Sequence, residues 1–211
     1  MNSLNKSTLS EQIYQILKND IITQEIKCGE KLTLKNLKER FQVSSTPIRE
    51  ALTKLTQDNL VNYYSNIGVK VVEFDDNDLH ELYEFIRELD TLAVKFCMKL
   101  EDKSELIKCL KDNLDKNLYY LNNNNPEEGS ALSDEFHLVF YNYCNNSRIV
   151  DAYKKVFLQL SIFYRNYKTD VESQMVILKE HQAIYDAVCN NDMELATKLM
   201  YKHLSNSFEL D

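Results

Sequence analysis

A short stretch, VSSTPIREALTKL at residues 43–55, separates apolar and polar side chains around a predicted helix. The apolar residues recur at the i, i+3, i+4 and i+7 spacing of one helix face: Ile48, Ala51, Leu52 and Leu55. A different side carries small hydroxyls around one long cation: Ser45, Thr46, Arg49 and Thr53. Hydroxyls and helix N-terminal amides bind phosphate oxygens, and arginine also bonds base edges. The helix must therefore pack one face on a neighbour, while the other face suits DNA.

The residues on either side of this helix supply that neighbour. Upstream, LKNLKERF predicts a short helix capped by Thr33, and Ser44 is expected to cap the next helix after a tight turn. Downstream, LVNYYSNIGVKVVEF predicts two short strands joined by a turn. With a bracing helix at about residues 9–24, these elements predict a winged helix-turn-helix domain over residues 8–73.

The rest of the chain has the apolar spacing of consecutive helices. Only three glycines and two prolines interrupt 211 residues, which is typical of an almost wholly helical protein. The six predicted helices run at about 77–100, 104–122, 127–145, 147–167, 171–190 and 193–207. The predicted fold is mainly α, an N-terminal winged helix-turn-helix followed by an all-helical antiparallel bundle over residues 77–208.

Charge is divided unevenly along the chain. Residues 1–72 hold ten Lys/Arg against seven Asp/Glu, and the remainder holds fifteen against twenty-six. This asymmetry fits one domain that meets DNA and one that does not.

The sequence has no run near the roughly 20 apolar residues of a membrane span, no signal-peptide pattern and no CxxC pair among its five cysteines. These features predict a cytoplasmic protein without a membrane partner and with reduced thiols.

Three of the four histidines fall on the apolar sides of different predicted helices: His137, His181 and His203. A single histidine in that setting is usually a hydrogen-bonded core residue, whereas three from three helices favour a convergent site. Neutral imidazoles from different helices are ligands for Zn²⁺, Ni²⁺ or a similar divalent ion. His80 lies on the polar side of its helix and is expected to be solvated.

The N-terminal motifs resemble the DNA-binding domain of the GntR family of bacterial transcription regulators. The resemblance covers roughly residues 8–73 and depends on these landmarks: Gly29-Glu30-x-Leu32, Val43-Ser44-x-Thr46-Pro47-x-Arg49-Glu50-Ala51-Leu52 and Gly68-Val69. Ser45 stands where members often carry arginine, and Asn66-Ile67 where a basic residue is common, so fewer phosphate contacts are expected. The residues predicted to contact DNA are Lys35, Ser44, Ser45, Thr46, Arg49, Ser65, Asn66, Gly68 and Lys70.

The segments around the three histidines resemble, more loosely, the FCD effector domain of the FadR-type branch of the same family. The resemblance implies a divalent metal held by three histidines and an aspartate, with an organic acid effector completing the coordination. His137, His181 and His203 match the histidines, but Ser133 stands at the position of the aspartate. Asp134, a bound water and the effector's own carboxylate are the alternatives for the fourth ligand.

Arg87 and Asp90 lie at the edge and in the middle of the apolar stripe of the helix predicted at 77–100, where an unpaired charge is costly. One interpretation is an ion pair between the two. The resemblance implies another, in which Arg87 clamps an effector carboxylate while Asp90 or Tyr83 orients the arginine. Ser133 completes the predicted effector site.

The leading hypothesis is a sequence-specific transcription regulator that senses a small carboxylate through a metal-containing pocket. A homodimer on a near-palindromic operator is expected, because one recognition helix contacts only a few base pairs. In the family, a repressor released by ligand is the commoner arrangement. Two alternatives keep the regulator but assume a metal-free pocket, or the metal itself as the signal. A three-histidine metalloenzyme is disfavoured, because no general base or nucleophile motif accompanies the histidines.

Overall fold

The computed structural model describes residues 7–65, 68–164 and 170–208, and this part of the chain contains nine helices and three strands. The helices are α1 (Leu9–Ile22), α2 (Leu34–Phe41), α3 (Ser45–Gln57), α4 (Asp76–Cys97), α5 (Ser104–Asn122), α6 (Pro126–Tyr143), α7 (Ser147–Tyr164), α8 (Val171–Cys189) and α9 (Met193–Phe208). The strands are β1 (Lys31–Leu32), β2 (Val61–Tyr64) and β3 (Gly68–Val71). The predicted fold, a winged helix-turn-helix followed by a helical bundle, is confirmed.

The chain forms two compact units. The first contains the described residues up to Leu79 together with the part of α7 from Lys155 onward. Its core is built by α1, α2, α3 and the sheet, and α1 packs on α3. Leu158 and Ile162 of α7 pack on the same core. The apolar stripe of α3 is therefore enclosed by neighbours, as its spacing requires.

A three-stranded antiparallel sheet forms the wing, with strand order β1-β3-β2. In the β2–β3 hairpin, Tyr64 pairs with Gly68, whose φ of 93° favours glycine. The third strand, β1, was not predicted, because two residues are too few to show an alternating pattern. Its pairing brings Lys31 opposite Lys70.

The second unit contains His80–Lys154 and the described residues from 170 onward. In it α5 packs on α6 and α8, and α8 packs on α6 and α9. Asparagine replaces glycine at the left-handed positions after the helices, at Asn124, Asn145 and Asn191. This use of asparagine explains how so many helices end in a chain with three glycines.

Most predicted helix ends agree with the structure to within a few residues. Helix α4 ends at Cys97, three residues before the predicted end, because the Lys99 and Leu100 amides form turn hydrogen bonds to the carbonyls three residues earlier. Residues 165–167, at the end of the helix predicted at 147–167, lie outside the described residues. Ser44 occupies the N-cap position of α3, but its side chain makes no capping hydrogen bond.

The structure also tests the predictions that the chain has no membrane span and that its cysteines are reduced. No described helix is both long and apolar enough to cross a membrane. All five cysteines are free thiols, and they range from the buried Cys97 and Cys144 to the exposed Cys28 and Cys189. Burial raises the pKa of Cys97 to about 12, so this thiol is held protonated in the core.

Candidate DNA-binding face and metal centre

The recognition helix α3 has a buried apolar face and, on another side, an exposed polar face. Its four apolar residues, Ile48, Ala51, Leu52 and Leu55, are buried in the core of the first unit. Ser44, Thr46 and Arg49 are exposed, and Ser45 is partly buried. The Arg49 guanidinium makes no hydrogen bond or ion pair with another described residue. It is therefore available to a phosphate or to a base edge.

The other predicted DNA contacts lie on α2 and the wing. Lys35, Ser65 and Gly68 are exposed. The Nζ atom of Lys70 lies 2.6 Å from Oε2 of Glu73, and this hydrogen bond raises the pKa of the lysine. The ammonium of Lys70 has two further N–H donors, but the Glu73 carboxylate partly neutralises its charge towards a phosphate. The predicted contact at Asn66 lies outside the described residues.

The three histidines predicted to converge do so in the second unit, from α6, α8 and α9. Their Nε2 atoms form a small triangle: 3.2 Å from His137 to His181, 3.1 Å from His181 to His203, and 3.3 Å from His203 to His137. Neighbouring nitrogens bound to one ion at ~2.0–2.1 Å lie about 3.0–3.4 Å apart. The triangle therefore has the dimensions of a set of metal ligands.

Two carboxylates hold two of these rings from behind. Nδ1 of His137 lies 2.6 Å from Oδ2 of Asp90, and Nδ1 of His203 lies 2.6 Å from Oε2 of Glu180. The Tyr141 hydroxyl donates to the other oxygen of Asp90. His181 is held differently, because its ring stacks on Phe136 with centroids 4.1 Å apart and its buried Nδ1 has no hydrogen-bond partner in the part of the chain that the structure describes.

This arrangement determines which ring nitrogens carry protons. A carboxylate accepts hydrogen bonds, so Nδ1 of His137 and of His203 donates, and the Nε2 atom of each neutral ring is a lone-pair acceptor. Those two acceptors face each other at 3.3 Å. A single proton on His181 Nε2 can serve only one of them. A cation among the three Nε2 atoms satisfies all three lone pairs at once, so the residues present fit a divalent metal.

Asp134, the predicted substitute for the fourth ligand, and Ser133, which stands at the position of the family aspartate, have different surroundings. Asp134 is exposed, and it is not part of the group of ligand atoms that lie within 4.8 Å of one another. Ser133 is buried and belongs to a neutral network. Its Oγ accepts from Asn117 Nδ2 at 3.1 Å and lies 3.1 Å from Gln174 Oε1 and from the Gly129 carbonyl, to either of which it can donate.

Three of the four residues predicted to bind an effector, Tyr83, Arg87 and Asp90, lie on α4, and Ser133 lies on α6. Arg87 and Asp90 do not form the ion pair considered from their spacing. Asp90 bonds to His137 and Tyr141, whereas Arg87 lies 3.8 Å from Glu84 and its guanidinium carbon is 4.6 Å from the centre of the Tyr201 ring. The Arg87 Nε atom is buried without a hydrogen-bond partner among the described residues, and Tyr83 is partly buried.

Two known protein families match the chain, one over its N-terminal part and one over its C-terminal part. Residues 9–71 match the family described as bacterial regulatory proteins, gntR family, and residues 81–206 match the FCD domain. The chain belongs to the GntR family and carries a C-terminal FCD domain. It is a DNA-binding transcription regulator of this type and not an enzyme.

Several known proteins are similar to this GntR regulator over nearly its whole length. The HTH-type transcriptional regulator YdhC of Bacillus subtilis is 28% identical over 201 residues, which cover 94% of this chain and 88% of YdhC. The transcriptional repressor GlaR of Escherichia coli is 25% identical over 199 residues, or 90% of each chain. Among solved structures, E. coli McbR/YncC has the same fold, with a TM-score of 0.75 at 20% identity and 97% coverage of both chains.

Burial and nearby charge act differently on the three imidazoles of the regulator. Burial opposes protonation of His137, but the Asp90 carboxylate outweighs it and raises the pKa. The pKa of His181 is lowered well below its ordinary value by burial and then by the other two imidazoles. Burial also lowers the pKa of His203, although Glu180 opposes this effect. His181 and His203 are therefore neutral at pH 7, as metal ligands must be.

Two positions on the DNA-binding face of the GntR domain were missed by sequence reasoning. A hollow of about 300 Å³ opens beside Arg49 and is lined in part by Lys31, Thr33 and Tyr63. The Lys31 and Tyr63 side chains are exposed, so a cation and a phenol hydroxyl lie next to the recognition helix. Pairing of β1 with β3 places Lys31 there, and no local sequence signal shows that pairing.

Proposed function

We propose that this regulator binds a divalent metal through the Nε2 atoms of His137, His181 and His203 and senses a small carboxylate that completes the coordination. It binds a near-palindromic DNA operator as a homodimer and represses transcription until the effector arrives. The triangle of Nε2 atoms, 3.1–3.3 Å on each side, is the observation that carries the proposal.

The proposed chemistry at the centre follows from the donor set. Three imidazoles leave coordination positions open on Zn²⁺, Ni²⁺ or a similar ion, and the metal supplies a Lewis acid that binds an anionic oxygen. Arg87 contributes a buried Nε that has no hydrogen bond to a described residue, and guanidinium groups bind carboxylates through two parallel hydrogen bonds. Together a metal and a cation favour an organic acid over a neutral ligand.

The DNA-binding half of the proposal depends on the exposed face of α3. Arg49 supplies base or phosphate contacts, and Lys35 supplies a phosphate contact. Because one recognition helix reaches only a few base pairs, a two-fold dimer is required to occupy two successive major grooves. Repression is favoured by the relatives, since GlaR and RspR of E. coli are both named transcriptional repressors.

The first experiment is the metal content of the full-length protein, purified without a chelator or a histidine tag. We expect about one divalent ion per chain, as for other three-histidine sites, and none in His137→Ala or His203→Ala. Elemental analysis measures the content, and circular dichroism checks that each variant is folded. A wild-type protein that takes up no ion after dialysis against Zn²⁺, Ni²⁺ and Mn²⁺ contradicts the metal site.

The second experiment measures coupling between ligand and DNA. A duplex selected from a random-sequence pool by the wild-type protein serves as the probe, and its affinity is measured with and without small carboxylates. We expect an active carboxylate to weaken binding of the wild type. His203→Ala should bind the same duplex without that response. An unchanged response in His203→Ala removes this histidine from the sensing site.

The same measurements distinguish the two alternative hypotheses, in which the metal itself is the signal or the pocket contains no metal. If the metal itself is the signal, DNA affinity follows free metal concentration with no carboxylate present. If the pocket is metal-free, wild type and His203→Ala show equal metal content, and Arg87→Ala removes the response to the carboxylate. A carboxylate effect that requires both the metal and Arg87 is the outcome expected here.

A further inference from the structure

Asp90 is more deeply buried than Glu180, the other carboxylate that bonds to a site histidine. The aspartate that serves as fourth ligand in the family is replaced by Ser133 in this chain. The Asp90 side chain is 3% exposed. A buried carboxylate is costly unless positive charge or several hydrogen bonds compensate it. His137 and Tyr141 each donate to one of its oxygens, and both donors are neutral when the imidazole is neutral.

Among the described residues, the three histidines have no carboxylate ligand beside them to balance the charge of a divalent ion. At the position where the family carries an aspartate, Ser133 bonds to neutral amides and a carbonyl. Three neutral imidazoles bring no negative charge to a divalent cation. Asp90 and Glu180, one behind His137 and one behind His203, carry two negative charges, equal and opposite to those of the ion.

We propose that Asp90 is the principal positioning carboxylate of the metal centre, with Glu180 in a secondary role, and that it replaces the aspartate ligand of the family without touching the ion. Asp90 keeps the proton of His137 on Nδ1, so the Nε2 lone pair faces the ion. Carboxylates behind metal-ligating histidines orient the ring and raise its basicity. The proposal rests on the metal site proposed above.

Asp90 ranks above Glu180 because its surroundings are better fixed. The Glu180 side chain is 27% exposed, so water can replace it at His203. Asp90 is closed off by Tyr141, whose ring stacks on Tyr153 with centroids 3.8 Å apart. The stacked Tyr141 thus fixes the position of the Asp90 carboxylate, which in turn fixes the ring of His137 through its hydrogen bond to Nδ1.

The test compares Zn²⁺ affinity of the full-length wild type with that of Asp90→Asn, Glu180→Gln and Asp134→Asn, by competition with a chromogenic chelator. An asparagine at 90 can donate to Nδ1 and so stabilise the wrong tautomer of His137, with its Nε2 protonated. We expect Asp90→Asn to weaken Zn²⁺ binding about 10–100-fold, and Glu180→Gln and Asp134→Asn each to weaken it less.

A second measurement separates positioning from a merely structural role. Nitrogen-15 spectra of metal-free protein with labelled histidine report the tautomer of each ring. His137 should carry its proton on Nδ1 in the wild type and on Nε2 in Asp90→Asn, while the circular dichroism spectrum stays the same. Tyr141→Phe should retain the wild-type tautomer and weaken Zn²⁺ binding less than Asp90→Asn does.

Three results overturn the proposal. Equal Zn²⁺ affinity in Asp90→Asn and wild type rejects a role for Asp90. A loss confined to Asp134→Asn assigns the fourth ligand to Asp134 instead. An unchanged His137 tautomer in Asp90→Asn rejects the positioning mechanism. Failure of the wild type itself to bind any metal rejects the function proposed above, and the tautomer spectra then still test Asp90, because they need no metal.

Discussion

The two units of this regulator place their functional side chains in opposite settings. On α3 the buried apolar residues from Ile48 to Leu55 pack the helix into the core of the first unit, and the exposed guanidinium of Arg49 is available to bind DNA. In the FCD domain the site is part of the core: His181 is 0% and His203 4% exposed, and both rings contact other site residues. The open face suits a polyanion such as DNA, whereas the buried histidine triangle is the proposed site of a small ion.

This difference has a consequence for mutation. Where the folding face and the binding face are separate, a substitution can remove binding and leave stability unchanged. Where they coincide, a substitution changes both, because the ligand atoms are positioned by core packing. Substitutions in the two units should therefore differ in how far they change stability and binding together.

Phe136→Ala should damage the fold and the metal centre together. Phe136 is fully buried, and its ring stacks on His181. Loss of a buried phenylalanine typically costs about 3–5 kcal/mol of unfolding free energy, and here it also frees the His181 ring to move. Urea denaturation followed by circular dichroism measures the first effect, and Zn²⁺ competition measures the second.

Phe136→Leu is the matched variant for this prediction, since it keeps most of the buried apolar volume but removes the aromatic ring. It should recover much of the stability and less of the Zn²⁺ affinity. A Phe136→Ala protein that is destabilised but binds Zn²⁺ as tightly as the wild type contradicts the coupling of core and site.

Addition of metal should stabilise the FCD domain through the same coupling. A ligand that binds only the folded state adds about 2.7 kcal/mol to the unfolding free energy at one hundred times its dissociation constant. Denaturation of the wild type with and without Zn²⁺ measures this gain. The gain should disappear in His203→Ala and after addition of a chelator. Equal stabilisation of the wild type and His203→Ala indicates that the ion binds elsewhere.

Arg49→Ala should show the opposite behaviour. Removal of an arginine contact to a base typically costs about 1–3 kcal/mol of specific binding, whereas an exposed substitution leaves stability within about 0.5 kcal/mol. Fluorescence anisotropy with the selected duplex measures the affinity. Arg148→Ala removes one exposed positive charge from α7 and is the control for net charge. Equal duplex affinity in Arg49→Ala and wild type rejects the assignment of α3 as recognition helix.

Sequence reasoning succeeded where a feature is local. The spacing of Ile48, Ala51, Leu52 and Leu55 predicted the buried face of α3, and that prediction is confirmed. The apolar-side positions of three histidines predicted their convergence, because a bundle directs such faces to one interior. Both results need only the helical period and the direction of a face.

Sequence reasoning failed where a partner is distant in the chain. Arg87 and Asp90 are three residues apart and were considered an ion pair, yet Asp90 bonds to His137, which is 47 residues away. Strand β1 was missed because its pairing with β3 joins residues far apart in sequence. Helical periodicity identifies the interior residues, but it does not determine which interior residues meet.

The smallest expected effect is that of Lys35→Ala, and it distinguishes phosphate contacts from base contacts within the DNA-binding face. Lys35 is exposed on α2 and makes no ion pair with another described residue. A lysine that neutralises one phosphate releases counterions, so its removal should lower the slope of log affinity against log salt by about 0.9. Because phosphates are the same in every sequence, binding to the selected duplex and to an unrelated duplex should weaken alike. Lys108→Ala on α5 provides the charge control, and a loss confined to the selected duplex would assign Lys35 to a base edge instead.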